Sequence, residues 1–159
     1  MQPLALYISF TLILLLSFIL MTKHTHAFVF MFTWLVIEYS LTSYVSVIAD
    51  NAQRLVVAKN TPQFIIFRLT EIVVLPLLLL FFLEAINSAR TNFKKLLLAA
   101  FWTGLLTGVE ALLVFTQVLT YQHWNIGRSM LAWAFFVGLA YTAQLIYSRI
   151  LLKEGLLQC

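Results

Sequence analysis

The sequence predicts an all-α integral membrane protein that folds as a compact bundle of about five transmembrane helices. Hydrophobic residues make up 62% of the chain and charged residues only 10%, whereas a water-soluble domain carries about 25% charged residues. The polar residues therefore cannot cover the surface, so lipid must cover much of it. The apolar residues also fall into runs of about 20, the length that crosses a bilayer as a helix.

The predicted spans cover residues 3–22, 27–49, 64–86, 96–120 and 129–152 of a single transmembrane domain, 1–159. The core of the first span, Leu12 to Met21, is uncharged, no basic residue precedes the span, and no small-residue cleavage site follows it. We therefore expect a retained helix and not a signal peptide. Because this span has almost no polar residues, we expect it to face lipid at the edge of the bundle.

The segments between the spans are short and polar. Residues 23–26 predict a tight hairpin between the first two spans. Residues 50–63 either prolong the second span beyond the lipid or lie along the interface. Thr61 and Pro62 predict the start of the third span, because a hydroxyl residue followed by proline suits the first turn of a helix. A basic loop, 87–95, and a turn with Trp124, 121–127, precede the last two spans.

The lysines and arginines at the segment ends predict the orientation in the cell membrane. Six lie on one side of the predicted bundle, namely Lys23, Arg90, Lys94, Lys95, Arg149 and Lys153. Three lie on the other side, namely Arg54, Lys59 and Arg128. The positive-inside bias puts the richer side in the cytoplasm, with the N-terminus outside and the C-terminus cytoplasmic. This bias also accounts for the net charge of +4 without a nucleic-acid partner.

Four of the six acidic residues lie inside the apolar spans: Glu38, Glu71, Glu84 and Glu110. A carboxylate near the bilayer centre costs at least about 2.5 kcal/mol, so such residues face the bundle interior or a wet cavity. Glu84 lies near the inner end of its helix and can reach the interface, which favours a structural role. Arg68 and Glu71 can pair one turn apart, either to neutralise the arginine or to form part of a site. Glu38 and Glu110 have no local partner, which favours a functional role.

Helical periodicity gives each of the last four spans one polar face. These faces are Glu38, Thr42 and Ser46 in the second span, Arg68 and Glu71 in the third, Thr103, Glu110, Gln117 and Tyr121 in the fourth, and Tyr141, Gln144 and Ser148 in the fifth. We expect the faces to meet in a polar pocket in the outer half of the membrane, floored by Glu38 and Glu110. A carboxyl group away from water is more readily protonated, which would let these two residues give or take a proton.

Several classes of site are excluded. The one cysteine, Cys159, allows neither an internal disulfide nor a paired-cysteine metal site, and no metal site is predicted. The sequence contains no phosphate-binding glycine loop, nucleophile elbow or zinc-protease motif, and it indicates no particular cofactor. Gly104 and Gly108 form a GxxxG pattern, which permits close helix contact within the chain or between copies.

The sequence favours a small binding or transport protein for a polar or cationic solute or for protons. In this interpretation Glu38 and Glu110 bind or relay, and Glu71 with Arg68 tunes or gates. Three further side chains orient the ligand, namely Gln117, Tyr141 and Gln144. One alternative is an enzyme that uses buried glutamates for acid–base chemistry on a lipid or isoprenoid. A second is a non-catalytic subunit of a larger membrane complex. Besides membrane lipid, we expect partner chains, in a homo-oligomer or in such a complex.

Overall fold

A computed structural model describes residues 2–21 and 25–154, apart from the side chains at positions 2, 3 and 50. Within these residues the chain forms a bundle of five helices, which confirms the predicted helical fold. They are α1 Gln2–Leu20, α2 Ala27–Val45, α3 Thr61–Ser88, α4 Asn92–Phe115 and α5 Ile126–Lys153. Lys23 and Cys159 lie outside the described residues.

Four of the helices are long and apolar enough to cross a membrane. These four stretches are Ala27–Ala49, Thr61–Ser88, Asn92–Phe115 and Ile126–Lys153. The apolar part of α1, Leu4–Leu20, is shorter. Most apolar side chains of α1 are exposed, as expected for a helix at the edge of the bundle, but Phe18 is buried and packs edge-on against Phe81 of α3. The predicted crossing of the first helix therefore stays a prediction.

Side-chain caps set the starts of α3, α4 and α5. The Asn60 side chain accepts a hydrogen bond from the Gln63 backbone N–H at 3.0 Å, and Asn125 does the same for Arg128 at 2.9 Å. Thr91 caps α4. The predicted cap at Thr61 is one residue late, because the amide oxygen of Asn60 reaches the free N–H groups of the first turn.

Two helices widen locally into π-helical turns. The α2 helix continues as a π-helical turn over Ser46–Asn51, and α3 contains one over Thr70–Val74. The second turn ends at Val74, two residues before Pro76, which has no N–H to donate and so loosens the helical ladder. This turn contains Glu71.

A short antiparallel ribbon joins two connections at one end of the bundle. Its strands are β1 Leu55–Val57 and β2 Leu119–Tyr121, with Leu55 opposite Tyr121. The alternative that residues 50–63 prolong a helix is therefore wrong for β1. The alternative that they lie along the membrane interface stays a prediction. The predicted fourth helix to residue 120 is also wrong, since α4 ends at Phe115.

The opposite end of the bundle is joined around Thr25. Its hydroxyl oxygen accepts hydrogen bonds from Asn87 Nδ2 at 3.2 Å and from Gln144 Nε2 at 3.1 Å. These bonds connect the start of α2 with the ends of α3 and α5. The ribbon and Thr25 thus mark the two ends of the bundle, and the apolar core lies between them.

The GxxxG glycines do not make a close helix contact in the described part of the chain. A methyl group added at Gly104 or Gly108 would meet nothing within 4 Å. The two glycines lie on the exposed side of α4, near Phe101 and Leu112. Contact between copies through this face stays a prediction.

Candidate functional site

A cavity with an empty volume of about 540 Å³, including its mouth, lies between α2, α3, α4 and α5. Leu55 and Leu119 of the ribbon line its end. Most lining residues are apolar or aromatic: Leu41, Tyr44, Val45, Ala49, Leu55, Phe67, Leu75, Val109, Leu113, Leu119 and Trp133. The remaining three are Thr70, Glu71 and Glu110. The space therefore has apolar walls with two carboxyl groups among them.

Glu71 reaches this cavity from the π-helical turn of α3. Its side chain is only 2% exposed, and its Oε2 accepts a hydrogen bond from Arg68 Nη1 at 2.6 Å. The predicted pairing of Arg68 with Glu71 is therefore present. The other oxygen, Oε1, is buried and has no hydrogen-bond partner among the described residues. One half of this carboxylate is available to a ligand.

Arg68 holds its position at the edge of the bundle. Its side chain is 46% exposed, and its guanidinium carbon lies 5.2 Å from the ring centre of Phe64 and 5.7 Å from that of Phe67. Such cation–π contacts orient the group over the rings. The guanidinium can therefore stay partly hydrated while it neutralises Glu71.

Glu110 has a different environment in the same cavity. Its Oε1 accepts hydrogen bonds from Ser129 Oγ at 2.6 Å and from the Tyr121 hydroxyl at 3.0 Å. Its Oε2 accepts one from Trp133 Nε1 at 2.7 Å. Trp124 Nε1 in turn donates to Ser129 Oγ at 2.8 Å. The carboxyl group is thus a hydrogen-bond acceptor that ties α4 to β2 and α5, and all three of its donors are neutral.

Tyr121 keeps its proton over the physiological range. Burial raises the pKa of the Tyr121 hydroxyl to about 12, and the nearby Glu110 carboxylate raises this pKa further while the Ser129 hydrogen bond opposes the shift. A phenol that stays protonated stays a donor. The bond from Tyr121 to Glu110 is therefore a permanent part of the fold at neutral pH.

Two hydroxyl groups complete the polar lining. The Thr70 hydroxyl is satisfied, because it bonds to the Tyr7 hydroxyl and donates to the Ile66 carbonyl. The Tyr44 hydroxyl is buried and has no hydrogen-bond partner among the described residues. Within the described part of the chain, the cavity thus has two polar atoms without partners, Tyr44 Oη and Glu71 Oε1.

The structure does not bring Glu38 to this cavity. Glu38 is half-buried, is absent from the lining, and accepts a 3.3 Å hydrogen bond from Trp34 Nε1 of its own helix. Thr42 and Ser46, its predicted stripe, are exposed. The expectation that Glu38 and Glu110 floor one pocket is therefore wrong. The buried face of α2 contains Thr33, Ile37 and Leu41 instead. Each residue turns the helix by about 100°, so Glu38, which follows Ile37, lies to the side of this face.

Gln117 lies outside the cavity as well. It is exposed and adopts a positive φ of 58° directly after α4. Its N–H donates to the Val114 carbonyl, and the Val118 N–H donates to the Leu113 carbonyl at 2.9 Å. This pattern is the Schellman motif that ends a helix. The predicted ligand-orienting role is therefore replaced by a helix cap.

Tyr141 and Gln144 belong to the far end of the bundle. Gln144 is buried beside Thr25, and the Tyr141 ring lies 6.0 Å from Lys95 Nζ. Neither residue lines the cavity that contains Glu71 and Glu110. The predicted pocket residues therefore divide between two places, and only Glu71 and Glu110 meet, with Arg68 beside them.

Tyr44, Ser129 and Trp133 were not predicted from the sequence as parts of a site. A buried tryptophan or tyrosine usually finds a partner for its polar atom. Ser129 and Trp133 are four residues apart and so share one helical face. This spacing could have indicated that both side chains donate hydrogen bonds to Glu110. Nothing in the sequence marks the Tyr44 hydroxyl, whose position depends on packing.

No basic residue lines the cavity in residues 2–21 and 25–154, and that part of the chain contains no group of three or more His, Cys, Asp or Glu side chains able to hold a metal ion. Comparisons with family models, with curated proteins and with solved structures give no match.

Proposed function

We propose that the protein binds a small amphipathic cation in the cavity that contains Glu71 and Glu110. The observation that carries this proposal is Glu71 Oε1, a buried carboxylate oxygen that has no partner among the described residues and lines a largely apolar cavity. A buried acceptor without a partner costs about 1–3 kcal/mol. A ligand that donates a hydrogen bond to this oxygen recovers that free energy.

The apolar walls support an apolar ligand body. Leu41, Leu75 and Leu113 come from three different helices, and Trp133 adds an indole face. Binding sites of this kind combine an apolar lining with a few polar groups that fix orientation. The Tyr44 hydroxyl is the second such group, since it can either donate to or accept from the ligand.

The charge of the lining supports a positively charged head group. Glu71 is neutralised by Arg68, whereas the three donors to Glu110 are all neutral. With both carboxyl groups ionised, the site has two negative charges and one positive charge. One cation balances it, and an uncompensated charge in a low-dielectric interior is costly.

We also propose that the ribbon end of the bundle faces outside and that the other end is cytoplasmic. Arg54, Lys59 and Arg128 lie at the ribbon end, whereas Arg90, Lys94, Lys95, Arg149 and Lys153 lie at the far end. The positive-inside bias favours the far end as cytoplasmic. The proposed site then opens in the outer half of a cell membrane.

The test is a titration of the purified chain with three probes that share one apolar body: hexylammonium, hexanol and hexanoate. Calorimetry in a single detergent should give the affinity order hexylammonium, hexanol, hexanoate. In E71Q the preference for hexylammonium should fall at least about tenfold, which corresponds to 1.4 kcal/mol.

E38Q is the matched control, because it makes the same chemical change in the bundle at a carboxylate outside the cavity. It should keep the wild-type order. A wild-type preference for hexanol or hexanoate over hexylammonium contradicts the proposal, and so does an unchanged preference in E71Q. Mass spectrometry of molecules that stay with the protein from native membranes then identifies the natural ligand, and a chemically altered product would favour the enzyme alternative.

A further inference from the structure

The side of α2 that faces away from the cavity carries a carboxyl group, Glu38. Its Oε1 accepts one hydrogen bond, from Trp34 Nε1 of the same helix at 3.3 Å. Its Oε2 has no hydrogen-bond partner among the described residues, and no lysine or arginine in that part of the chain forms an ion pair with it. Glu71, the charged residue that acts on Glu38 through space, is also negative and repels it. The described part of the chain therefore leaves the charge of Glu38 unbalanced.

Glu38 lies at the middle of a helix that is long and apolar enough to cross a membrane. It is eleven residues from Ala27 and eleven from Ala49, the two ends of that stretch. This distance is about 16 Å on each side at 1.5 Å per residue, and the hydrocarbon core of a bilayer is about 30 Å thick. Lipid head groups do not reach this depth. A carboxylate there is costly unless another group pairs with it.

Glu38 belongs to an exposed stripe along α2. Leu35 is 68% exposed, and Met31 and Thr42 are exposed as well. The α2 stripe consists of Met31, Leu35, Glu38 and Thr42. Its residues are spaced by four, three and four positions, which is the spacing with which one helix packs along another. The stripe is thus a surface for a helix, with a carboxyl group at its centre.

We propose that the α2 stripe binds a transmembrane helix of another protein, one with a lysine or arginine at mid-membrane depth. The argument is charge complementarity, because such a residue balances Glu38 where the described residues do not. The proposal depends on α2 crossing a bilayer and not on the cation site proposed above.

A second copy of this chain does not supply the cation. Two copies inserted in one orientation bring Glu38 to the same depth in both, and their carboxylates repel each other. The basic residues of the four stretches that can cross a membrane lie near helix ends, apart from Arg68. Arg68 is already paired with Glu71 and lies closer to the ribbon end than Glu71 does. The cation therefore comes from a different protein.

The test uses three synthetic polyleucine helices of about 20 residues, with identical flanks and with lysine, leucine or glutamate at the centre. Each peptide carries a donor dye, and the purified full-length chain carries an acceptor dye on Cys159, its one cysteine. Energy transfer in phosphatidylcholine vesicles measures binding against the peptide-to-lipid ratio. Wild type should bind the lysine peptide at least about tenfold more tightly than the leucine peptide. The glutamate peptide should bind no better than the leucine peptide.

Two variants and one matched control locate the binding. E38Q removes the charge with little change of shape, so it should bind the lysine and leucine peptides equally. L35W puts a bulky ring on the α2 stripe and should weaken binding of the lysine peptide about tenfold. L131W makes the same change on α5 at a leucine of similar exposure, 74% against 68%, and should bind as wild type does.

Equal affinity of wild type for the lysine and leucine peptides would mean that Glu38 faces lipid as a neutral acid, and it overturns the proposal. A lysine preference that persists in E38Q overturns it too, as does wild-type binding in L35W. Energy transfer between two labelled wild-type chains that L35W abolishes and L131W keeps would assign the stripe to a second copy instead. If L35W does not fold, E38Q against wild type still decides the question.

Discussion

Glu71 and Glu110 line the same cavity, yet their surroundings differ. Glu110 accepts three hydrogen bonds from Tyr121, Ser129 and Trp133, on both carboxyl oxygens. Glu71 has one bonded oxygen, held by the half-exposed Arg68, and one buried oxygen without a partner in the described residues. A fully bonded buried carboxylate stabilises a fold, whereas a half-bonded one has capacity left for a ligand.

The partners of each residue explain this division. Those of Glu110 come from β2 and α5, so its hydrogen bonds join three parts of the chain. The partner of Glu71 comes from the same helix, three residues earlier. Loss of Glu110 should therefore affect folding, and loss of Glu71 should affect binding.

The largest expected effect on stability is the difference between two single variants, each with a glutamate replaced by glutamine: E110Q and E71Q. E110Q puts an N–H₂ group where only donors point, so it should lower the free energy of unfolding by about 2 kcal/mol. E71Q should lower it by less than about 1 kcal/mol, because the half-exposed Arg68 can be hydrated. Thermal unfolding in a single detergent measures both.

The E110Q effect has a specific internal check. Replacing Trp133 by Phe removes the indole N–H that faces Glu110 Oε2. In the E110Q background W133F should therefore cost less stability than it costs in wild type. Equal stability losses for E110Q and E71Q would contradict the division of roles.

A smaller effect is expected from the two tyrosines. Y121F removes a hydroxyl that donates to Glu110 and should cost about 1 kcal/mol. Y44F removes a buried hydroxyl that has no partner among the described residues, so stability should stay unchanged or rise slightly. The same unfolding measurements apply, and a Y44F loss as large as that of Y121F would show that the Tyr44 hydroxyl is bonded in the membrane.

The smallest effect is a pH dependence at the ribbon end. The folded-state pKa of Tyr121 is about 12, against an ordinary pKa of 10.0. Since the folded state holds this proton more tightly, the stabilisation is complete below pH 10 and is lost as the pH rises towards 12. The unfolding temperature of wild type should fall more steeply over that range than that of Y121F. Parallel curves for the two proteins would place the Tyr121 hydroxyl in water.

The sequence was sufficient to predict the helices and one ion pair within a helix. Long apolar runs predict the four helices that can cross a membrane. The three-residue spacing of Arg68 and Glu71 predicts their ion pair, because neighbours on one helix face depend only on helical geometry. Burial of Glu110 also followed from the cost of exposing a carboxylate to lipid.

The sequence was not sufficient for contacts between elements. Strands of three residues, such as Leu55–Val57, are too short to show alternation. Glu38 lies at mid-helix, but the rotation of α2 is set by the packing of Ile37 and Leu41, which turns Glu38 away from the cavity. The depth of Glu38 within its span therefore wrongly predicted that it lines the pocket. Whether a side chain reaches the cavity depends on the helix face on which it lies.

Infrared difference spectroscopy on addition of hexylammonium tests the central claim most directly, since it reports on the carboxylates themselves. We expect a shift of a carboxylate stretching band in wild type and in E38Q, and loss of this shift in E71Q. The same band shift in E71Q as in wild type would show that the probe contacts another carboxylate, and would contradict the assignment of the ligand to Glu71.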